Sequence, residues 1–179
     1  MNLKRKVSIP VAAMLFLSAV VLLTGCSQSP VGPGQLSDGP QLLARSAASV
    51  SSLSRSTAGD YIEQVISAAE GGKLSLYDVV LEIPPGAVNN DTLFSITIPD
   101  FNVFYNEFGT SGLVFNVPIR VAMSYRDADL TGVNESTIRI GWFNESTGRW
   151  NDMECEVDRV NKVVTGLLYH FSAYGLISD

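Results

Sequence analysis

Val117-Pro118-Ile119-Arg120-Val121-Ala122-Met123-Ser124-Tyr125-Arg126 is the stretch on which the fold turns. Val117, Ile119, Val121, Met123 and Tyr125 share one side of a two-residue period. Pro118, Arg120, Ala122, Ser124 and Arg126 take the other. Successive side chains of a strand point to opposite faces, so this alternation describes a strand with one face in a core. Pro118 cannot donate to a ladder, which predicts an edge or first-residue position for it.

The same period recurs on both sides. Val79, Leu81 and Ile83 are apolar in one run, and Phe94, Ile96 and Ile98 face away from Ser95 and Thr97 in the next. Ile138, Ile140 and Trp142 alternate with Thr137, Arg139 and Gly141. Turn residues separate the runs: Gly71-Gly72, Tyr77-Asp78, Pro84-Pro85-Gly86 and Asn89-Asn90-Asp91. Asn144 to Gly148 joins a strand ending at Phe143 to one starting near Trp150, and Asp158 to Asn161 joins that strand to Val163-Val164. Short strands at regular spacing, with no long 3.6-residue period between them, predict an all-β antiparallel sandwich or barrel.

Upstream the chain changes character. Lys4, Arg5 and Lys6 precede an apolar run from Val7 to Leu23, which ends in Leu23-Thr24-Gly25-Cys26. Charge, then a short apolar stretch, then small residues describe a secretory signal rather than a spanning helix. The last four residues resemble the bacterial lipobox. That resemblance implies cleavage between Gly25 and Cys26, diacylglyceryl transfer to the Cys26 thiol, and a further palmitate-type acyl chain on the new N-terminus. Acyl chains bury about 0.8 kcal/mol per methylene, so two or more hold a protein on a lipid bilayer. Ser27, not Asp, follows the cysteine. In a cell with two membranes, that resembles lipoproteins passed to the outer one.

Residues 26–59 are rich in Ser, Gly and Pro and read as a flexible linker, a composition too polar to offset chain entropy by burial. Leu42, Leu43, Ala47, Ala48 and Leu53 suggest at most a frayed helix within it. The expected organisation is a signal peptide over 1–25, the linker over 26–59 and a folded domain over 60–179.

The 179-residue chain has 12 basic and 18 acidic residues and a formal charge of -6. Loss of Lys4, Arg5 and Lys6 with the signal leaves 9 basic against 18 acidic residues, a net of -9. Such a surface repels phosphate backbones and excludes a nucleic-acid partner. It also gains nothing from anionic lipid, so the acylated cysteine carries the anchoring. With Cys26 lipidated, Cys155 has no partner in the chain. It reads as a small apolar strand residue, and no basic neighbour in sequence marks it as a reactive thiol.

Three segments together resemble the ZU-five domain, named for zonula occludens proteins and Unc-five netrin receptors and found also in ankyrins. They are Gly71-Gly72-Lys73-Leu74-Ser75, Val80-Leu81-Glu82-Ile83-Pro84-Pro85-Gly86-Ala87-Val88 and Phe94-Ser95-Ile96-Thr97-Ile98. Gly112-Leu113-Val114-Phe115 with Val117-Pro118-Ile119, and His170-Phe171-Ser172-Ala173-Tyr174-Gly175-Leu176, match the family's middle and end. The resemblance implies a β-sandwich and a non-enzymatic role in protein contacts or spacing, here with an envelope protein partner.

His170-Phe171-Ser172 also resembles a self-cleavage site of some animal members. There the serine, here Ser172, attacks the preceding carbonyl, here that of Phe171, with the histidine, here His170, as base. The alternative is a plain closing strand. No other enzyme reading stands. His170 is the only histidine, no cysteine pair has zinc spacing, and no cofactor or metal is expected. Asp127 and Asp129 read as a solvated turn, and Glu154, Glu156 and Asp158 as a solvated strand face with a weak cation site as the minor alternative. Asn134-Glu135-Ser136 and Asn144-Glu145-Ser146 match glycosylation acceptors that a bacterial chain does not use. Trp142, Phe143, Trp150, Tyr169 and Tyr174 read as core aromatics. An exposed strip of them would instead stack on sugar rings, which makes a carbohydrate-binding module the other functional class.

Overall fold

The computed structural model describes residues 39–53 and 60–179. In chain order the strands are β1 (Gln41–Leu42), β2 (Asp60–Ile66), β3 (Gly72–Leu76), β4 (Val79–Ile83), β5 (Thr92–Ile98) and β6 (Tyr105–Gly109). Then come β7 (Val114–Ser124), β8 (Arg139–Asn144), β9 (Arg149–Asp152), β10 (Cys155–Asp158), β11 (Val163–His170) and β12 (Ala173–Ser178). A short helix, α1 (Ala47–Leu53), follows β1, and a 3-10 turn covers Glu135–Thr137. The larger sheet runs β2-β5-β6-β12-β8-β9 with β1 also beside β12; the smaller runs β10-β11-β7-β4-β3. All pairings are antiparallel, as in β11 with β7 and β12 with β8. The fold is an antiparallel β-sandwich.

The two-residue period does what it promises over most of the chain. Val79, Leu81, Phe94, Ile96, Ile119, Val121, Met123 and Ile140 are all buried between the sheets. Gly71 turns the chain with φ +70°, and Gly86, after Pro84-Pro85, with φ +78°. A Cβ on Gly71 would fall 2.2 Å from the Ile83 carbonyl oxygen, so that turn admits no side chain.

Pro118 departs from expectation. It lies in β7, which sits inside its sheet between β11 and β4. The strand tolerates it because the β4 pairing stops at Glu82↔Arg120, and the β11 pairing jumps from Leu168↔Ile119 to His170↔Val114. Pro118 falls in that gap, where no ladder bond is asked of its nitrogen. The alternation slips there too, and Val117 is 41% exposed rather than buried.

The folded body also starts earlier than composition suggests. Residues 41–46, read as linker, are bonded to the sandwich, while the helix that follows buries no residue. Leu43 is buried, donates its N–H to the Leu176 carbonyl at 2.8 Å and accepts the Phe104 N–H at 3.0 Å. Leu42 and Leu43 are thus strand and core rather than helix. The helix starts only at Ala47, where the Ser46 hydroxyl accepts the Ser49 N–H at 3.3 Å. A compositional average hides two or three anchoring residues among many serines.

The aromatic residues divide three ways. Tyr174 is buried in the core and Trp142 packs against it. Phe143 and Trp150 pair across β8 and β9, their rings 5.4 Å apart. They lie on the outer face of the larger sheet, where Trp150 rests over Gly141 and Gly175. Tyr169 is 60% exposed and not core at all.

Candidate functional site

The stretch from Trp150 to Asp158 was expected to be one strand. It is two, in different sheets. β9 pairs with β8 in the larger sheet, Met153-Glu154 cross over, and β10 pairs with β11 in the smaller. No glycine or proline marks the crossing, so nothing in the sequence announces it. β10 is consequently short and covers only Val163 to Gly166 of β11. Among the described residues, Leu167 to His170 have a strand neighbour on one side alone, β7.

At that flank the gap between the sheets opens into a cleft of about 550 Å³. Trp142, His170 and Tyr174 line its inner part, and Leu167, Tyr169 and Arg120 its outer part. The Trp142 and His170 rings meet edge-on, 5.3 Å apart at 83°. The Tyr174 hydroxyl donates to the His170 carbonyl at 2.7 Å, and burial holds that phenol's proton well above its ordinary range. Arg120 donates to Glu82 at 3.0 Å and to the Thr165 hydroxyl at 3.4 Å, and Lys73 approaches the same carboxylate at 3.6 Å. Glu154 and Glu156 also line the cleft, both exposed and neither in an ion pair among the described residues. Of these, the sequence marked the aromatics and the two glutamates. It gave no sign that Arg120, Met153 and Leu167 would join them, since the meeting depends on the crossover.

His170-Phe171-Ser172 forms the passage from β11 to β12. Phe171 is 1% exposed and packs edge-on against Phe94 and Phe115 at 5.1 and 4.8 Å. Its N–H donates to the Leu113 carbonyl at 2.9 Å, and its carbonyl accepts the Gly112 N–H at 3.2 Å. The Ser172 hydroxyl donates to the Phe143 carbonyl at 3.2 Å. The His170 Nδ1 lies 3.5 Å from the Phe171 oxygen and 3.4 Å from the Tyr174 hydroxyl. No hydrogen bond joins His170 to Ser172. The three residues are neighbours in sequence, but the ring is turned to the carbonyl and the tyrosine, and the hydroxyl to another strand.

The remaining candidates fall into turns. Asp129 accepts the Thr131 N–H at 3.0 Å. Asp158 accepts the N–H groups of Val160 and Asn161 at 3.0 and 2.9 Å. Asn134 and Asn144 use their side-chain oxygens to accept the N–H groups of Ser136 and Ser146 at 3.1 and 3.0 Å. Cys155 is a free, partly buried thiol on β10. Gly25 and Cys26 lie outside the described residues. Among the described residues no helix is long and apolar enough to cross a membrane. No family model matches the chain, and no curated protein matches it.

Proposed function

We propose that the chain is a lipid-anchored envelope lipoprotein, acylated on Cys26, whose non-enzymatic ZU-five-like sandwich binds another envelope component. The observation that carries this is Leu23-Thr24-Gly25-Cys26 at the end of a charged and then apolar leader. The arrangement around His170 favours a plain closing strand over self-cleavage: a general base hydrogen-bonds the proton it takes, and this imidazole and the Ser172 hydroxyl bond other groups instead. The cleft at the β11 flank supports the binding part, being concave, part apolar and furnished with a few polar groups. The outer membrane is the expected destination in a cell that has one.

Detergent phase partition tests the anchor. The native chain is expected in the detergent phase and Cys26→Ser in the aqueous phase. Equal partition of both would sink the proposal. A carbohydrate-binding module is the second reading, favoured by the rings of Trp142, Tyr169 and His170 in one cleft. Saturable binding on a glycan array would establish it.

A further inference from the structure

We infer that the β11 flank at Leu167–His170 takes an extended peptide as an added strand, with one apolar side chain in the cleft and a basic one beside Glu154 and Glu156. This rests on the reading of the sandwich as a binding module and names what the module binds. A strand edge without a neighbour is a template for another chain, because backbone groups on that side lack strand partners; here the His170 carbonyl already takes the Tyr174 hydroxyl, which leaves the groups before it for an added strand. β10 already shows how a strand docks there, antiparallel to β11 with Asp158 opposite Val163 and Cys155 opposite Gly166. A peptide would continue that line where Met153-Glu154 turn away.

Proteins guard idle edges with proline, lysine or charged side chains. Leu167-Leu168-Tyr169-His170 has no proline and no permanently charged residue, and Leu167 and Tyr169 are exposed at 47% and 60%. Alternate residues of an added strand point to opposite faces. One set would enter the cleft toward Trp142 and Tyr174. The other would lie beside Leu167, Tyr169 and the outer-face Glu156, which stands opposite Thr165. Arg120 shares Glu82 with Lys73, whereas Glu154 and Glu156 have no ion pair among the described residues, so the two carboxylates outnumber the one cation that lines the cleft. A sugar fits less well. Stacking needs open ring faces, and here Trp142 meets the His170 ring and Tyr174 is 2% exposed, so Tyr169 is the ring left widely exposed.

The test pans a phage-displayed random linear heptapeptide library against the full-length chain in detergent micelles. The double variant Glu154→Lys/Glu156→Lys serves for counter-selection. Enriched peptides are expected to place a Lys or Arg near an apolar residue. Their synthetic forms should bind roughly tenfold or more weakly when alternate backbone nitrogens are methylated, and likewise on the double variant. Methylation needs no change in the protein, so it decides even where the variant misfolds. No enrichment, or affinity indifferent to backbone methylation, overturns the inference. Chitohexaose serves as the saccharide probe. If it saturates the site while no peptide binds, the peptide reading falls and the binding module stands. If neither binds, the module reading of the cleft falls with it.

Discussion

Arg45 holds Asp78 from across the sandwich. Its Nη2 donates to both carboxylate oxygens at 2.9 and 3.0 Å, with both side chains almost wholly withdrawn from water. The guanidinium carbon lies 4.0 Å from the centre of the Phe104 ring. Burial pushes the Asp78 carboxyl above its ordinary value, and the Arg45 charge pulls it part of the way back. The pair fastens a segment that composition assigns to a linker onto the turn between β3 and β4.

Removing one partner leaves the other charge buried. Arg45→Ala and Asp78→Ala are each expected to cost about 3–5 kcal/mol, read as a shift in the urea midpoint. Arg45→Met with Asp78→Leu should recover most of the loss, since two apolar groups of similar size need no partner. A single variant that costs under about 1 kcal/mol would show that the contact does not hold in solution.

Gly175 lets three segments of the larger sheet crowd together. A Cβ there would lie 2.5 Å from Leu42 Cδ2, 2.8 Å from the Phe104 carbonyl oxygen and 3.2 Å from the Trp150 ring. The leucine can move, but the backbone oxygen cannot. Gly175→Ala should therefore lower stability by about 1–3 kcal/mol through overpacking. Gly148, at φ +65° with open space around it, isolates the backbone contribution. Its alanine variant should lose only about 1–2 kcal/mol. Thermal melts of the two, followed by far-ultraviolet circular dichroism, separate crowding from conformation.

Tyr125 gives a pH signature. Its phenol is buried and donates to Glu135 at 2.9 Å. Burial first, then the Glu135 bond, push its pKa up to about 12. The folded state therefore holds this proton more tightly than the unfolded chain, whose tyrosine titrates near 10. The stability it contributes is complete below about pH 10 and falls as pH rises through 12. Melting temperature followed from pH 9 to 12 should drop more steeply in the native chain than in Tyr125→Phe. Parallel slopes would assign the loss to other groups.

Intact mass decides the fate of the β11–β12 passage. Because the Ser172 hydroxyl is given to Phe143 and the His170 ring to other partners, no species ending at Phe171 is expected. Ser172→Ala should give the same species pattern as the native chain. A fragment ending at Phe171 that disappears in this variant would restore the self-cleavage reading.

Sequence made the sandwich legible where burial is periodic. The alternations around Met123, Phe94 and Leu81 report a one-sided environment directly, and Gly71 and Gly86 report a positive φ that few other residues accept. What it concealed is non-local. Leu43 and Arg45 sit among serines, and only their distant partners Leu176 and Asp78 reveal them as structure. Pro118 signals an edge, yet it is tolerated inside a sheet because pairing lapses on both sides. The cleft was legible only as ingredients. Trp142 and His170 are 28 positions apart, and their 5.3 Å meeting follows from which strands stack. The change of sheet at Met153-Glu154 breaks no local pattern, so a reading by period runs straight through it.

Gln41 lies opposite Ser178, and Leu42 opposite Ile177, so the chain enters the sandwich alongside its last strand. A tug on the residues before Gln41 is therefore borne first by two rungs of ladder, by Leu43 and by the grip of Arg45 on Asp78. Residues 41–45 therefore stand first in the path of any load that arrives from upstream, and they pass it to the last strand and to the turn that holds Asp78.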